Sequence, residues 1–136
     1  IKEVPETSNS ANLALKQMLE NYQLTRVPTF ISYVRDKITP IKSDDIVLFS
    51  LQHAGVFAHT EGNKWLLAES LNQIEEKLPT HLFYRANRQF IIQRKFLKEI
   101  ENCFGGKLKL KLTIDHEEIL VSKDNCKHFK DWLQNG

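Results

Sequence analysis

The sequence predicts a mostly β fold with short helices, and three observations carry that expectation. Short runs rich in branched and aromatic residues follow one another from Phe30 onward, separated by turn-forming residues. Glu61-Gly62-Asn63 and Gly105-Gly106 sit between such runs, where hairpin turns need residues that tolerate positive φ. Lys107 to Leu112 alternates lysine and leucine without a break, which is the period of a strand with one wet and one buried face.

In chain order, residues 1–10 are polar, with Pro5 and a Thr-Ser-Asn-Ser cluster, and read as linker. Leu13, Leu15, Met18, Leu19 and Tyr22 then recur at mostly helical spacing behind Ser10 or Asn9 as a cap, so a short amphipathic helix is expected over Ala11–Tyr22. Residues 1–25 are accordingly assigned to an upstream region, and residues 26–136 to the main domain. Strands are expected at Phe30–Val34, Lys37–Ile41, Ile46–Gln52, Val56–Thr60 and Lys64–Leu67. Ser70 with Gln73 forms a capping-box pair for a helix whose Leu71, Ile74 and Leu78 share a face, and Pro79 ends it. Glu99–Phe104 and Lys107–Ile114 flank the glycine pair, and Ile119–Val121 makes a last short strand. Ser122 is expected to cap a final helix through Gln134, with Cys126, Phe129, Trp132 and Leu133 inward.

A chain of 136 residues, 41% hydrophobic, can bury one substantial core. Its net charge of +2 conceals an asymmetry: residues 1–82 carry 8 basic and 10 acidic side chains, residues 83–136 carry 11 and 7. The C-terminal part therefore suits a polyanion. The stretch Phe83–Ile100 concentrates this charge, with Arg85, Arg88, Arg94, Lys95 and Lys98 among apolar residues and no acid before Glu99. Cys103 and Cys126 lack zinc-site or redox spacing and read as free thiols in a reducing cytosol. No apolar run approaches the roughly 20 residues of a membrane span. The five histidines lack metal-ligand spacing, no nucleophile elbow is present, and the pairs Asp44-Asp45 and Glu117-Glu118 diverge in an extended chain. Neither catalysis nor a cofactor is expected.

The helix ending at Leu78, the Phe83-Tyr84-Arg85 block, the Gly105-Gly106 hairpin, and Val121-Ser122-Lys123 ahead of a helix together resemble the LytTR-type DNA-binding domain over Arg26–Leu133. The resemblance implies an elongated stack of small antiparallel sheets whose loops, not a recognition helix, enter the DNA. It also implies a C-terminal effector domain behind a receiver, in a cytoplasmic bacterial response regulator. Double-stranded promoter DNA is the implied partner, bound by two copies on paired repeats.

Three places correspond to the family's contacts: Gln52-His53-Ala54-Gly55, Arg85-Ala86-Asn87-Arg88-Gln89, and Ser122-Lys123. This chain departs from the usual pattern, with Asn87 for histidine, Gln89 for serine, Gln93 for asparagine and Lys123 for arginine. Arg88 suits bidentate recognition of guanine or a clamp on phosphate, against a structural ion pair. Arg85 is open between phosphate contact and a buried ion pair. Asn87 and Gln89 either read adenine or shape the turn around Arg88. Lys123 is a groove contact at a helix start, where Ser122 serves first as cap. His53 either donates to a base or phosphate or is simply solvated. Arg94, Lys95 and Lys98 add backbone attraction if they share a surface. Phe83, Phe90, Phe96 and Trp132 read as core, not stacking platforms. The competing function is a protein-interaction module with a basic surface for an acidic partner.

Overall fold

A computed structural model of the chain describes residues 12–17 and 27–135. Residues 12–17 are helical, with Leu13 and Leu15 exposed; the other apolar residues expected on that helix, and the linker before it, lie outside the described residues.

Ten strands follow. β1 (Thr29–Val34) and β2 (Lys37–Lys42) form a two-stranded ribbon, closed by Arg35 in the left-handed region at φ 57°. β3 (Leu48–Gln52), β4 (Gly55–Thr60), β5 (Asn63–Leu67), β6 (Phe83–Arg85) and β7 (Phe90–Gln93) make the central sheet in the order β5-β4-β3-β7-β6. β8 (Leu97–Asn102), β9 (Leu108–Leu112) and β10 (Ile119–Val121) make a third sheet, and every pairing is antiparallel. Helix α1 (Leu71–Lys77) follows β5, and α2 (Cys126–Asn135) ends the fold.

The central sheet is buried on both faces, which explains why β7 reads Phe-Ile-Ile-Gln without polar alternation. Phe49 and Ile91 turn to one side, packing with Phe30 and Ile41 of the ribbon and with Leu71 and Ile74 of α1. Leu48, Phe90 and Ile92 turn to the other, meeting Leu108, Leu110 and Leu112 of β9, Ile119 and Val121 of β10, and Phe129 of α2. The result is the expected stack of small antiparallel sheets with two apolar layers between them. Each fully buried Phe, Leu or Ile contributes roughly 1.5–3 kcal/mol of transfer free energy.

Local signals account for most boundaries. The capping box is complete: Gln73 N–H donates to Ser70 Oγ at 3.2 Å and Ser70 N–H to Gln73 Oε1 at 2.9 Å. The lysines of β9 are exposed while its leucines are buried. Several details differ from the sequence reading: β6 and β7 lie within the basic stretch, where it places no strand, and β8 runs over Leu97–Asn102 instead of Glu99–Phe104. The glycine hairpin is longer than a two-residue turn, closing when Cys103 N–H donates to Lys107 O at 2.8 Å. Ser122 makes no side-chain cap; a 3-10 turn over Lys123–Asn125 precedes α2, and Ser122 Oγ instead accepts from Asn125 Nδ2 at 3.1 Å. That turn spends the first backbone donors locally, as Asn125 N–H bonds Ser122 O.

Candidate nucleic-acid interface

The loop Ala86–Gln89 joins β6 to β7, and two side chains fix its shape. Asn87 Oδ1 accepts from the Gln89 and Phe90 N–H groups at 2.8 and 3.1 Å, while Asn87 Nδ2 donates to Leu120 O of β10 at 2.8 Å. Its amide ties the central sheet to the third sheet and takes the turn-shaping role. Arg85 does the rest. Its Nε donates to Asn87 O at 2.7 Å, one terminal nitrogen to Arg88 O at 2.9 Å, and the other to Asn72 Oδ1 and Glu75 Oε1 of α1 at 3.0 Å each. Arg85 thus forms an ion pair with Glu75, but a half-exposed one rather than a buried one.

Held this way, Arg88 is exposed, and its guanidinium meets no hydrogen-bond or ion-pair partner among the described residues. It lines a cleft with Asn87, Lys107, Leu120, Ser122 and Asn125. Lys123 flanks that cleft. Its aliphatic stem lies on Gly106, where an added Cβ would come within 3.1 Å of Lys123 Cγ and Cδ. Gly106, at φ 78°, thus supplies both the turn and the space for the lysine.

Gln89 is exposed next to Arg88 and opens onto a neighbouring cleft with Gln52, His53, Glu117 and Glu118. His53, Asn87, Arg88, Gln89, Ser122 and Lys123 therefore lie along one edge, built from three separate loops. The edge has a cationic end at Arg88, Lys107 and Lys123 and an acidic flank at Glu117-Glu118, where Glu118 lies 3.9 Å from Lys109. In the sequence Lys107 stands out only as one of the alternating lysines that face water or a partner. The acidic pair carries no local signal of its position.

The structure does not bring Arg94, Lys95 and Lys98 to this edge. Arg94 and Lys95 form a 3-10 turn past the far end of β7 from Arg88, a separation of about 13 Å over four strand residues. Arg94 donates to His81 O at 3.0 Å and Leu133 O at 2.7 Å, and also to Trp132 O, with its guanidinium 4.0 Å from the Trp132 ring centroid. Burial lowers its pKa from the ordinary value. Lys95 pairs with Asp44 at 2.8 Å. Lys98 is exposed on β8, near the Leu97–Leu112 end and away from the glycine hairpin. The shared basic surface expected from the linear block is thus divided by β7.

Beneath the β3–β4 turn that carries His53 runs a polar chain. His59 Nε2 meets buried Ser50 Oγ at 2.7 Å, Gln52 donates to the same oxygen at 3.0 Å, and Lys64 donates to Gln52 Oε1 at 3.3 Å. Burial first, then the charges of Lys64 and His116, lower the His59 pKa from 6.5 to about 4. Phe83 and Phe90 are buried; Phe96 and Trp132 are partly buried against the second apolar layer. Cys103 and Cys126 are free thiols. Among the described residues, no group of three or more His, Cys, Asp or Glu side chains is placed to hold a metal, and no helix is long and apolar enough to cross a membrane.

The model of the LytTr DNA-binding domain matches residues 36–134. The chain belongs to the LytTr DNA-binding domain family. Related proteins include the sensory transduction protein LytT of Enterococcus faecalis, 32% identical over 98 residues, or 72% of this chain and 40% of that protein. The transcriptional regulatory protein LytR of Staphylococcus aureus strain RF122 is 30% identical over 122 residues, covering 90% of this chain and 48% of its own length. The sensory transduction protein LytR of Staphylococcus epidermidis is 28% identical, covering 96% and 56%. This LytTr chain thus spans about half the length of these relatives. A solved LytTr DNA-binding domain from Bacillus cereus superposes with a TM-score of 0.66 at 21% identity, over 79% of this chain and 95% of that one.

Proposed function

We propose that this LytTr domain recognises a specific duplex sequence through the edge formed by Gln52–Gly55, Asn87–Gln89 and Ser122–Lys123. In this reading it is the non-catalytic effector domain of a cytoplasmic response regulator that controls transcription, following a receiver to which residues 1–25 lead. Two copies would occupy paired repeats in promoter DNA.

One observation carries the assignment of the edge: an arginine without a partner among the described residues, on a loop whose backbone exchanges four hydrogen bonds with the side chains of Arg85 and Asn87, which are themselves anchored to Asn72, Glu75 and Leu120 by three more. A preorganised planar fork loses little freedom on binding and suits guanine O6 and N7 or two phosphate oxygens. Lys107 and Lys123 add phosphate attraction from the adjacent hairpin and turn. His53 and Gln89 are the remaining candidate readers. Arg85 and Asn87 act by positioning, and Ser122 by ordering its turn. Arg94, Lys95 and Lys98 fall outside the proposed surface.

Selection of preferred sequences from random duplexes, followed by titration of variants, tests this. Arg88→Ala and Lys123→Ala should each cost about 1–3 kcal/mol on the selected duplex and relax preference at different positions. Arg88→Lys should not restore binding fully, because an ammonium lacks the fork. Both alanine variants binding the selected duplex like the parent would remove this edge from the interface. Sequence-indifferent binding together with affinity for an acidic protein would favour an interaction module instead.

A further inference from the structure

We propose that Phe104, at the tip of the β8–β9 hairpin, makes an apolar contact with bases of the bound duplex beside the positions met by Arg88 and Lys123. The proposal rests on the DNA reading of the edge given above. Phe104 is 93% exposed, more than any other large hydrophobic residue among those described. A whole aromatic ring in water forgoes its transfer free energy, and nothing in the hairpin requires it. The turn closes through the Cys103–Lys107 backbone bond, and Gly105 and Gly106 supply the left-handed conformations at φ 77° and 78°. The side chain therefore serves no evident folding purpose.

Its surroundings point to the occupant. Gly106, two residues on, lies against the Lys123 stem, and its carbonyl accepts from Cys126 Sγ at 3.3 Å. Lys107, three residues on, lines the cleft that holds Arg88 and Ser122. An exposed ring on the hairpin that also carries Lys107 and seats the Lys123 stem on Gly106 is complementary to a polyanion that also presents apolar surface, as duplex DNA does through its base edges and thymine methyl groups. The hairpin tip offers the ring without a side chain on its neighbour, since Gly105 carries none and stands in open space. Phe104 neutralises no phosphate, so its contribution should be insensitive to salt, unlike that of its neighbours.

Parent, Phe104→Ala, Phe104→Leu, Arg88→Ala and Lys123→Ala proteins would be titrated against the selected duplex and a scrambled one at two salt concentrations. Phe104→Ala should weaken the selected duplex roughly tenfold, leave the salt slope unchanged, and affect the scrambled duplex less. Thymine-to-uracil replacement and 2-aminopurine fluorescence within the site separate the two apolar sources. Methyl packing is abolished by uracil and tolerates Phe104→Leu; insertion at a base step raises 2-aminopurine emission and does not tolerate leucine. Phe104→Ala should melt with the parent, and a large fall in melting temperature would overturn the proposal by giving the ring an internal role. Equal losses on both duplexes would overturn it too, assigning the ring to sugar or backbone. If Phe104→Ala binds like the parent while Arg88→Ala and Lys123→Ala fail, the contact is refuted and the DNA edge stands. If the parent shows no duplex preference at all, both fall.

Discussion

Asn87 separates a residue that reads from a residue that holds, and Asn87→Ala tests which it is. Truncation removes one donor and one double acceptor, leaving the N–H groups of Gln89 and Phe90 and the carbonyl of Leu120 without their partners. At about 0.5–1.5 kcal/mol net for each bond, and with some rehydration of a half-buried loop, the loss should be about 2–3 kcal/mol of stability. Asn87→Asp keeps both acceptor bonds but loses the link to Leu120 O, so it should recover about half of that. Urea titrations would show a lower midpoint with an unchanged slope, and hydrogen exchange would show faster opening at the Gln89 and Phe90 amides. DNA affinity should fall alongside, because Arg88 loses its fixed backbone, yet no single base position should be relaxed. Arg88→Ala must behave in the opposite way, keeping the midpoint within about 0.5 kcal/mol while losing recognition. An Asn87→Ala protein that unfolds like the parent but loses discrimination at one A·T pair would refute this reasoning and make Asn87 a base reader.

The other expectations follow from equally local geometry. Gly106→Ala must hold a positive φ and displace the Lys123 stem, so it should cost about 1–2 kcal/mol of stability and weaken binding to the selected duplex, checked by urea titration and fluorescence anisotropy. Trp132→Ala removes a partly buried ring that donates to Thr80 O at 2.7 Å and packs 5.0 Å from Tyr84 between ring centroids; near-ultraviolet dichroism and melting should report a loss of about 2–4 kcal/mol. His59 stays neutral in the folded protein down to about pH 4, whereas the unfolded chain takes up its proton near 6.5. The unfolded state binds more protons across that window, so stability falls as pH drops from 6.5 toward 4, by about 1–2 kcal/mol after allowing for the ring's partial exposure. His59→Gln should flatten the profile, and an unchanged slope would show that the ring is not held neutral.

Features with a short-range signature are legible in the amino-acid sequence. The alternation of β9 and the capping box at Ser70 and Gln73 each encode a period or a turn within a few residues, whereas β6 and β7 lie hidden in the basic stretch because a strand buried on both faces shows no alternation. Other features depend on partners far along the chain and have no such signature. Whether Asn87 reads a base or holds a turn is decided partly by the carbonyl of Leu120, and whether Arg94 faces a phosphate or a helix end is decided by the carbonyls of Trp132 and Leu133. Ser122 has the residue type of a cap, but the following residues take up a 3-10 turn that leaves its hydroxyl facing Asn125 instead.

The basic run from Arg85 to Lys98 shows why charge density alone does not tell how each cation is engaged. Its arginines differ in what surrounds them: Arg85 and Arg94 each face several backbone carbonyls, whereas Arg88 offers a carbonyl of its own to Arg85. A guanidinium beside carbonyls is held by several directed bonds and loses its freedom to meet a ligand, while one without them keeps its donors available. The two kinds are interdependent, because the exposed arginine is useful to a groove only if its loop is rigid, and the rigidity comes from the committed one. Replacing Arg85 with lysine would keep the charge but not the three-way bridge among Asn87 O, Arg88 O and α1. Linear clustering thus joins a support, Arg85, to the exposed arginine proposed above as the reader, followed, beyond the buried strand β7, by a separate fastening for the C-terminal helix.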